Sequence, residues 1–229
     1  MECHAVVRDA NTPAREPLSN MTPRIRPLPV ERITPANTAL LIIDMERDFV
    51  DEGAPCEMPG ARRLVPVINS LIEWARRYQL PIIFTYEMHR PDRSDYGIEL
   101  EFEPLHCLEG TRGCELTSGL IVEPSDYRII AKRRYDCFLG TDLELLLRCK
   151  RVENLVCCGV STNICVMSTV LTARNMDYRV VLPSDTTAGS SAAHYEAALL
   201  CMSDVFAYIT TSATVTQLWG QPSCVVRGP

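Results

Sequence analysis

Three side chains of complementary reactivity, Asp44, Lys132 and Cys165, each follow an apolar run of the chain. A cysteine attacks a carbonyl as its thiolate, and both a helix N-terminus and a nearby ammonium group lower the pKa of a thiol. Lys132 would supply that ammonium group. Asp44 would accept the thiol proton and later return it to a leaving amine. The three residue types together predict nucleophilic attack on an amide-type carbonyl.

Such an attack creates an oxyanion, which needs hydrogen-bond donors placed in advance. Cys165 follows a turn that leads into a predicted helix, and the first N–H groups of a helix have no partner within it. The backbone N–H groups of residues 161–165 are therefore candidate donors to the oxyanion.

The elements that must hold these residues can be read from hydrophobic periodicity. Thr141-Asp-Leu-Glu144 has the pattern of a capping box at a helix start. The predicted strands cover 37–43, 81–86, 128–131, 154–158, 178–182 and 205–209, and the predicted helices cover 61–78, 141–150, 163–176, 191–202 and 212–219. Alternating strands and helices predict a single doubly wound α/β domain, with a parallel sheet of about six strands and helices on both faces.

Ligands of open α/β sheets bind outside the carboxyl ends of the strands. Asp44 ends the first predicted strand, Lys132 ends the third, and Cys165 lies just past the fourth. Taken singly, the aspartate also suits a turn cap, the lysine a solvated surface and the cysteine a buried helix position. Their occurrence together at one sheet edge favours catalysis.

The remaining chain restricts the class of protein. Residues 1–35 are polar and rich in proline, which predicts an N-terminal arm, followed by the domain at 36–220 and a tail at 221–229. A net charge of −6 argues against nucleic-acid binding.

The arm has no apolar stretch of the signal-peptide kind and no apolar run is long enough to span a bilayer, so we expect a cytoplasmic protein. Its eleven cysteines would then be thiols, and the chain has no Cys-x-x-Cys pair for redox work.

Four segments in order resemble the isochorismatase-like cysteine hydrolases. They are Leu41-Ile-Ile-Asp-Met-Glu-Arg-Asp-Phe49, Ala131-Lys-Arg-Arg-Tyr-Asp-Cys-Phe138, Thr141-Asp-Leu-Glu144 and Gly159-Val-Ser-Thr-Asn-Ile-Cys-Val166. The resemblance implies a catalytic triad of Asp44, Lys132 and Cys165. It also implies a cis peptide between Val160 and Ser161, and an oxyanion hole formed by the N–H groups of Ser161 and Cys165.

The resemblance leaves the branch of the family open. His89-Arg-Pro-Asp92 is similar to the ureide branch, which includes biuret and ureidoacrylate hydrolases that need no metal. The nicotinamidase branch instead carries Asp-x-His and a second histidine, which bind a divalent metal. This chain has Glu87-Met-His89 in the corresponding stretch, and the segment 105–115 is similar to one found in several branches, nicotinamidases included. We therefore expect a metal-free hydrolase of a small amide or ureide, with a nicotinamidase-like amidase or a non-catalytic binding module as alternatives.

The substrate-binding residues are predicted from their positions beside these motifs. Phe49 and Tyr135 flank the predicted catalytic segments, and His89 lies in the His-Arg-Pro-Asp tetrapeptide. A substrate carboxylate would need an arginine, for which Arg133 is a candidate beside Arg90, Arg93 and Arg134. No cofactor is expected. The family resemblance implies a homodimer or homotetramer. The long segment 87–126 has no clear period, and a loop of this length in a compact domain is usually functional or contains short elements of its own.

Overall fold

The computed structural model describes residues 21–220, apart from the side chains of Ala131, Trp219 and Gly220. Seven parallel strands form one sheet. They are β1 (Thr38–Ile43), β2 (Ile82–Glu87), β3 (Tyr127–Lys132), β4 (Asn154–Val160), β5 (Arg179–Pro183), β6 (Thr187–Ala188) and β7 (Tyr208–Thr210). The sheet order is β3-β2-β1-β4-β5-β7, and the short β6 pairs with the end of β4. The first strand therefore lies in the middle of the sheet, and later strands are added on both sides of it, as in a doubly wound α/β domain.

Within residues 21–220, six α-helices pack around the sheet. They are α1 (Arg47–Val50), α2 (Leu64–Arg77), α3 (Leu143–Cys149), α4 (Met167–Asn175), α5 (Ala192–Val205) and α6 (Ser212–Gly220). Leu40 and Ile42 of β1 pack with α2, whereas Leu41 and Ile43 pack with α3, α4 and α5. Successive strand residues point to opposite faces, so a strand buried on both sides must be apolar throughout. β1 meets that demand from Ala39 to Ile43. Its first residue, Thr38, is buried as well, and its hydroxyl donates to the Thr34 carbonyl at 2.6 Å.

The structure confirms the α/β class and corrects three details of the prediction. The sheet has a seventh strand, β6, whose two residues are too few to give a periodic signal. The last strand begins at Tyr208 instead of residue 205, because α5 continues through Val205. Helix α3 does begin after Thr141, but the capping box is absent: Thr141 Oγ1 accepts from Leu143 N, and Glu144 pairs with Arg148.

The segment between β2 and β3 has short elements of its own and lies over the carboxyl ends of the strands. It contains two 3₁₀ turns, Gly97–Glu101 and Arg112–Cys114. An Asp48 carboxylate oxygen accepts a hydrogen bond from the backbone N–H of Cys107 at 2.7 Å, which ties the segment to α1. Among residues 21–220, no helix is long and apolar enough to cross a membrane.

The described part of the predicted arm, residues 21–35, lies against the domain. The Arg24 N–H donates to Ser203 Oγ at 2.8 Å, and Asn154 donates to the Arg32 carbonyl at 3.0 Å. Ile33 is buried in the core. The rest of the arm, residues 1–20, and the predicted tail at 221–229 lie outside the described residues.

Candidate active site

Lys132 stands at the centre of a buried group of charged side chains. Its ammonium nitrogen lies 2.9 Å from Asp44 Oδ2 and 2.8 Å from Glu87 Oε2, and it donates to the Arg134 carbonyl at 2.7 Å. The same nitrogen lies 3.9 Å from Cys165 Sγ. The side chains of the lysine and of both carboxylates are almost fully buried. The three residues predicted at one sheet edge are thus in one cluster, together with a fourth, Glu87.

Asp44 is held by the strand beside it. It follows β1 with a backbone φ of 48°, in the left-handed region that is costly for a residue with a side chain. Thr85 of β2 fixes this conformation from both ends, because its hydroxyl oxygen accepts from the Asp44 N–H at 3.2 Å and donates to Asp44 Oδ1 at 2.6 Å. The other carboxylate oxygen is left for Lys132 and for a proton.

Cys165 lies in a π-helical turn, Thr162–Val166, between β4 and α4. The peptide bond between Val160 and Ser161 is cis. The N–H groups of Ile164 and Val166 both donate to the Ser161 carbonyl, at 3.0 and 3.1 Å, which fixes the turn. Cys165 Sγ donates toward Glu87 Oε2 at 3.7 Å. The thiol therefore faces both the lysine and a carboxylate.

The charges of the cluster set which groups carry protons. Burial raises the pKa of Asp44, and Lys132 only partly offsets this. Burial also raises the pKa of the Cys165 thiol, and the nearby anions Asp44 and Glu87 raise it further against the effect of Lys132. Burial disfavours the charged form of Glu87 as well, but Lys132 and two histidines hold its pKa well below the usual range. Lys132 itself keeps its proton, because contacts with anions outweigh burial and hold its pKa well above the usual value. At neutral pH the resting site is thus a thiol beside an ammonium–carboxylate group.

A small pocket opens onto the cysteine. It is narrow, with a cavity volume of about 10 Å³, close to the space that a single water molecule needs. Its walls are mainly apolar, and its lining residues are Phe49, Met58, Glu87, Glu103, Tyr135, Val160, Ser161, Ile164 and Cys165. So narrow a pocket restricts the candidate substrates to small molecules.

The structure separates the four residues predicted to bind substrate into two pairs. Phe49 and Tyr135 line the pocket. His89 is fully buried behind Glu87 and stacks on Tyr96 with ring centroids 3.8 Å apart. Arg133 lies 3.3 Å from Asp95 and donates to the Met88 carbonyl. Neither His89 nor Arg133 contributes to the lining, because each is occupied by partners in the segment after β2.

Behind Glu87 lies a second cluster with the donor set of a metal site. Glu87, His89, Glu99 and His106 are all buried, and one ligand atom from each lies within 4.8 Å of the others. Among the residues that the structure describes, no hydrogen bond reaches either carboxylate oxygen of Glu99 or Nδ1 of His89, although Glu99 Oε1 lies 3.4 Å from Nε2 of both histidines. Imidazole and carboxylate ligands suit zinc and other divalent transition metals. The contacts with Glu87 and Glu99 also raise the pKa of His89 against the effect of burial, so the same residues fit an imidazolium–carboxylate network.

Comparison with known proteins decides the family. The family model named Isochorismatase domain matches residues 38–214, which contain the whole sheet and the candidate site. The chain belongs to the isochorismatase family. The assignment confirms the resemblance that the four sequence segments indicated.

Relatives within this family carry different activities in their names. A probable inactive nicotinamidase of Arabidopsis thaliana is 34% identical over 180 residues, 74% of this chain and 89% of the relative. A ureidoacrylate amidohydrolase of Pseudomonas savastanoi is 27% identical over 252 residues, and the match covers 97% of this chain and the full length of that relative. The crystal structure of a cysteine hydrolase from Pseudomonas syringae superposes with a TM-score of 0.77 at 25% identity, over 86% of this chain and 98% of that one.

Sequence reasoning missed Glu87, Glu99, Glu103 and His106 as residues of the site. Glu87 ends β2, so the rule that placed Asp44 and Lys132 at strand ends would also have found it. Glu99, Glu103 and His106 lie in the segment 87–126, which has no period from which its path could be inferred. Only the folded structure brings them to Glu87.

Proposed function

We propose that this member of the isochorismatase family hydrolyses the carbon–nitrogen bond of a small linear amide or ureide and releases ammonia, with Cys165 as nucleophile. The observation that carries this proposal is the contact of one buried ammonium group, that of Lys132, with Asp44, Glu87 and Cys165 beneath a small pocket. Burying so many charged groups is costly unless each is paired. The Cys165 thiol lies between this buried charged group and the pocket, which supports a catalytic role.

In the first step, the Cys165 proton passes to Asp44 while sulfur attacks the substrate carbonyl and the C–S bond forms. The raised pKa of Asp44 makes it a stronger base than an ordinary carboxylate. The backbone N–H groups of Ser161 and Cys165 are the proposed donors to the oxyanion. The tetrahedral adduct then breaks its C–N bond, and Asp44 gives its proton to the departing nitrogen. Ammonia leaves, and a thioester remains on Cys165.

In the second step, Asp44 takes a proton from a water molecule, and the oxygen of that water attacks the thioester carbonyl. The C–S bond breaks, the acid product leaves, and the proton on Asp44 returns to the sulfur. Lys132 stays charged in both steps because its pKa is held well above the usual value. Its role is to balance the carboxylates and to position the base beside the nucleophile.

A second candidate function is a nicotinamidase-like amidase that uses a divalent metal. The observation that favours it is the cluster of Glu87, His89, Glu99 and His106, in which both oxygens of Glu99 lack a hydrogen bond. A metal held there by these four residues would lie behind Glu87, which lines the pocket, and would supply Lewis-acid chemistry. Cys165, Lys132 and Asp44 would keep the roles given above.

A non-catalytic binding module on the same fold is a third possibility, since a fold by itself does not give a function. One relative is indeed named a probable inactive nicotinamidase. In this chain the nucleophile, base and ammonium group are all present and in contact, which a binding role does not require. We therefore rank this alternative last.

The test is ammonia release from a panel of biuret, triuret, N-carbamoyl amino acids and nicotinamide, by protein stripped with a chelator. Cys165→Ser is the variant, and Cys201→Ser, a change at an exposed thiol, is its matched control. We expect turnover by the wild type and by Cys201→Ser, and loss of at least a thousandfold in Cys165→Ser, since removal of a nucleophile leaves only binding and oxyanion contributions. Near-normal turnover by Cys165→Ser would refute the mechanism.

The same panel separates the candidates. Ureide turnover without metal supports the first function. Turnover of nicotinamide only after zinc or manganese is added, with metal bound by the wild type and not by His106→Ala, would support the second. A homodimer or homotetramer stays a prediction of the family resemblance, and gel filtration with light scattering of the same preparations would test it.

A further inference from the structure

The charged groups that face the pocket are carboxylates. Glu103 is the more open of the two charged lining residues, with 22% of its side chain exposed, against 1% for Glu87. The rest of the lining is apolar, apart from Ser161, the Tyr135 hydroxyl and the thiol of Cys165. A ligand that enters this pocket therefore meets one accessible carboxylate, Glu103.

The cations near the pocket lie behind its walls. Lys132 is fully buried beneath Asp44 and Glu87. His106 Nε2 lies 3.7 Å from Glu103 Oε2, but the imidazole is fully buried and also contacts Glu87 and Glu99, so it offers no surface to a ligand. Arg133 is directed to Asp95, and Arg134 lies 3.8 Å from Glu99. Within the described residues, no arginine or lysine lines the pocket.

This arrangement bears on which members of the ureide and amide class are substrates. A ligand carboxylate would lie beside Glu103 in a pocket with few water molecules to screen the repulsion, since interactions between charges are stronger at low dielectric. An amide or ureide N–H group would instead find an acceptor in Glu103. The same pocket would thus repel an acid and bind its uncharged amide.

We propose that Glu103 determines specificity by admitting uncharged amides and ureides with a free N–H group and by rejecting substrates that carry a carboxylate. This inference rests on the proposed function and narrows it. Biuret-like compounds and simple carboxamides fall inside the selected class, whereas N-carbamoyl amino acids fall outside it.

The charge preference can be measured at Cys165 without any turnover. Iodoacetamide and iodoacetate are a matched neutral and anionic pair that alkylate the same thiol, and mass spectrometry gives the rate at each cysteine. The ratio of the two rates at Cys165 is divided by the ratio at Cys201, an exposed thiol of the same chain that reports intrinsic reactivity. Burial raises the pKa of Glu103, so the reactions are run at pH 8 and repeated at higher pH, which favours the carboxylate form.

We expect a normalised ratio of at least ten in favour of iodoacetamide for the wild type. Glu103→Gln should bring the ratio close to one, and Glu101→Gln, a change at an exposed acid two residues away, should leave it as in the wild type. A wild-type ratio near one, or a ratio that Glu103→Gln does not change, would overturn the proposal.

Turnover gives the second readout and separates this inference from the proposed function. N-carbamoylglycinamide and N-carbamoylglycine differ in one terminal group, an uncharged carboxamide in the first and a carboxylate in the second. Cleavage of the carbamoyl group is followed as release of glycinamide or glycine, so that hydrolysis of the terminal carboxamide is not counted. We expect kcat/KM of the wild type to favour the neutral compound by at least tenfold, and Glu103→Gln to reduce that preference. Preference for the anionic compound would overturn the inference with the hydrolase function intact. Absence of all turnover with a large alkylation ratio would instead count against the hydrolase function.

Discussion

The state of the nucleophile follows from a competition at Cys165. The sequence indicates a lowered pKa for this thiol, because a helix start and Lys132 both favour the thiolate. In the structure, burial and the anions Asp44 and Glu87 outweigh the lysine and raise the pKa of the thiol. A resting thiolate is therefore not expected, and the proton must leave during the attack. That demand makes the pKa of Asp44 the quantity on which the rate depends.

Thr85→Val tests this dependence. The Thr85 hydroxyl donates to Asp44 Oδ1 and so lowers the pKa of this carboxyl group, while burial raises it. Valine keeps the shape and removes the donor, so the pKa of Asp44 should rise further. Because Asp44 acts as a base only when ionised, activity is lost as the pH falls through this pKa. The acid limb of kcat/KM should therefore move to higher pH, by about one unit for the loss of one hydrogen bond.

Thr85→Ser retains the hydroxyl and is the matched control, with an acid limb expected where the wild type has it. The comparison needs the full pH profile, since a single rate at neutral pH would not separate a shifted pKa from a general loss of activity. An acid limb that stays in place in Thr85→Val would show that another group titrates there.

At the scale of elements, the site depends on how closely β4 approaches β1. Gly159 has φ of 110°, and a Cβ atom built on it would lie 2.0 Å from the carbonyl oxygen of Ile43. Ile43 immediately precedes Asp44, and Gly159 precedes the cis peptide before the cysteine turn. A glycine here lets the ends of both strands lie side by side, and so brings the base and the nucleophile together.

Gly159→Ala should therefore be strongly destabilising. Gly140 provides the control, because it also has positive φ, 70°, but a Cβ atom added there would meet no other atom within 4 Å. Gly140→Ala should lose about 1–2 kcal/mol of unfolding free energy from backbone strain alone. Gly159→Ala adds a clash with backbone to that strain and should lose clearly more. Urea unfolding of the two variants measures the difference, and equal losses would show that β4 can move away from β1 without cost.

Much of this architecture could be predicted from the sequence, for reasons that differ between elements. β1 is a short continuous apolar run and α2 has a strong helical period, so their positions follow from local pattern. The placement of the three proposed catalytic residues in one cluster follows from the rule on strand ends. The positions of Glu103 and His106 depend on the path of an irregular segment between β2 and β3. That path is set by long-range contacts, such as the bond from Cys107 N to Asp48, which no local pattern encodes.

For the molecule as a whole, the buried charges of the site lower the free energy of unfolding. Asp44, Glu46, Glu87 and Lys132 are all buried at one end of the sheet, and the acids outnumber the lysine. Glu46 illustrates the cost. Its Oε2 accepts from the Glu87 N–H at 3.0 Å, while its Oε1 is buried without a hydrogen bond. Burial raises the pKa of Glu46 well above the usual value, and the neighbouring Asp44 and Glu87 raise it further.

Glu46→Gln should therefore make the whole chain more stable at neutral pH. A carboxyl group whose pKa is higher in the folded than in the unfolded state lowers the free energy of unfolding once the pH exceeds the unfolded value of 4.5. Glutamine keeps an acceptor for the Glu87 N–H and removes the titrating group. We expect a gain of about 1–3 kcal/mol at pH 8, because glutamine avoids the cost of burying a carboxylate charge, and the gain should shrink to nothing as the pH falls to 4. Urea unfolding at several pH values measures it, with Glu73→Gln, an exposed acid on α2, as control. A gain that persisted at pH 4 would mean that packing, and not the buried charge, limits stability at this end of the sheet.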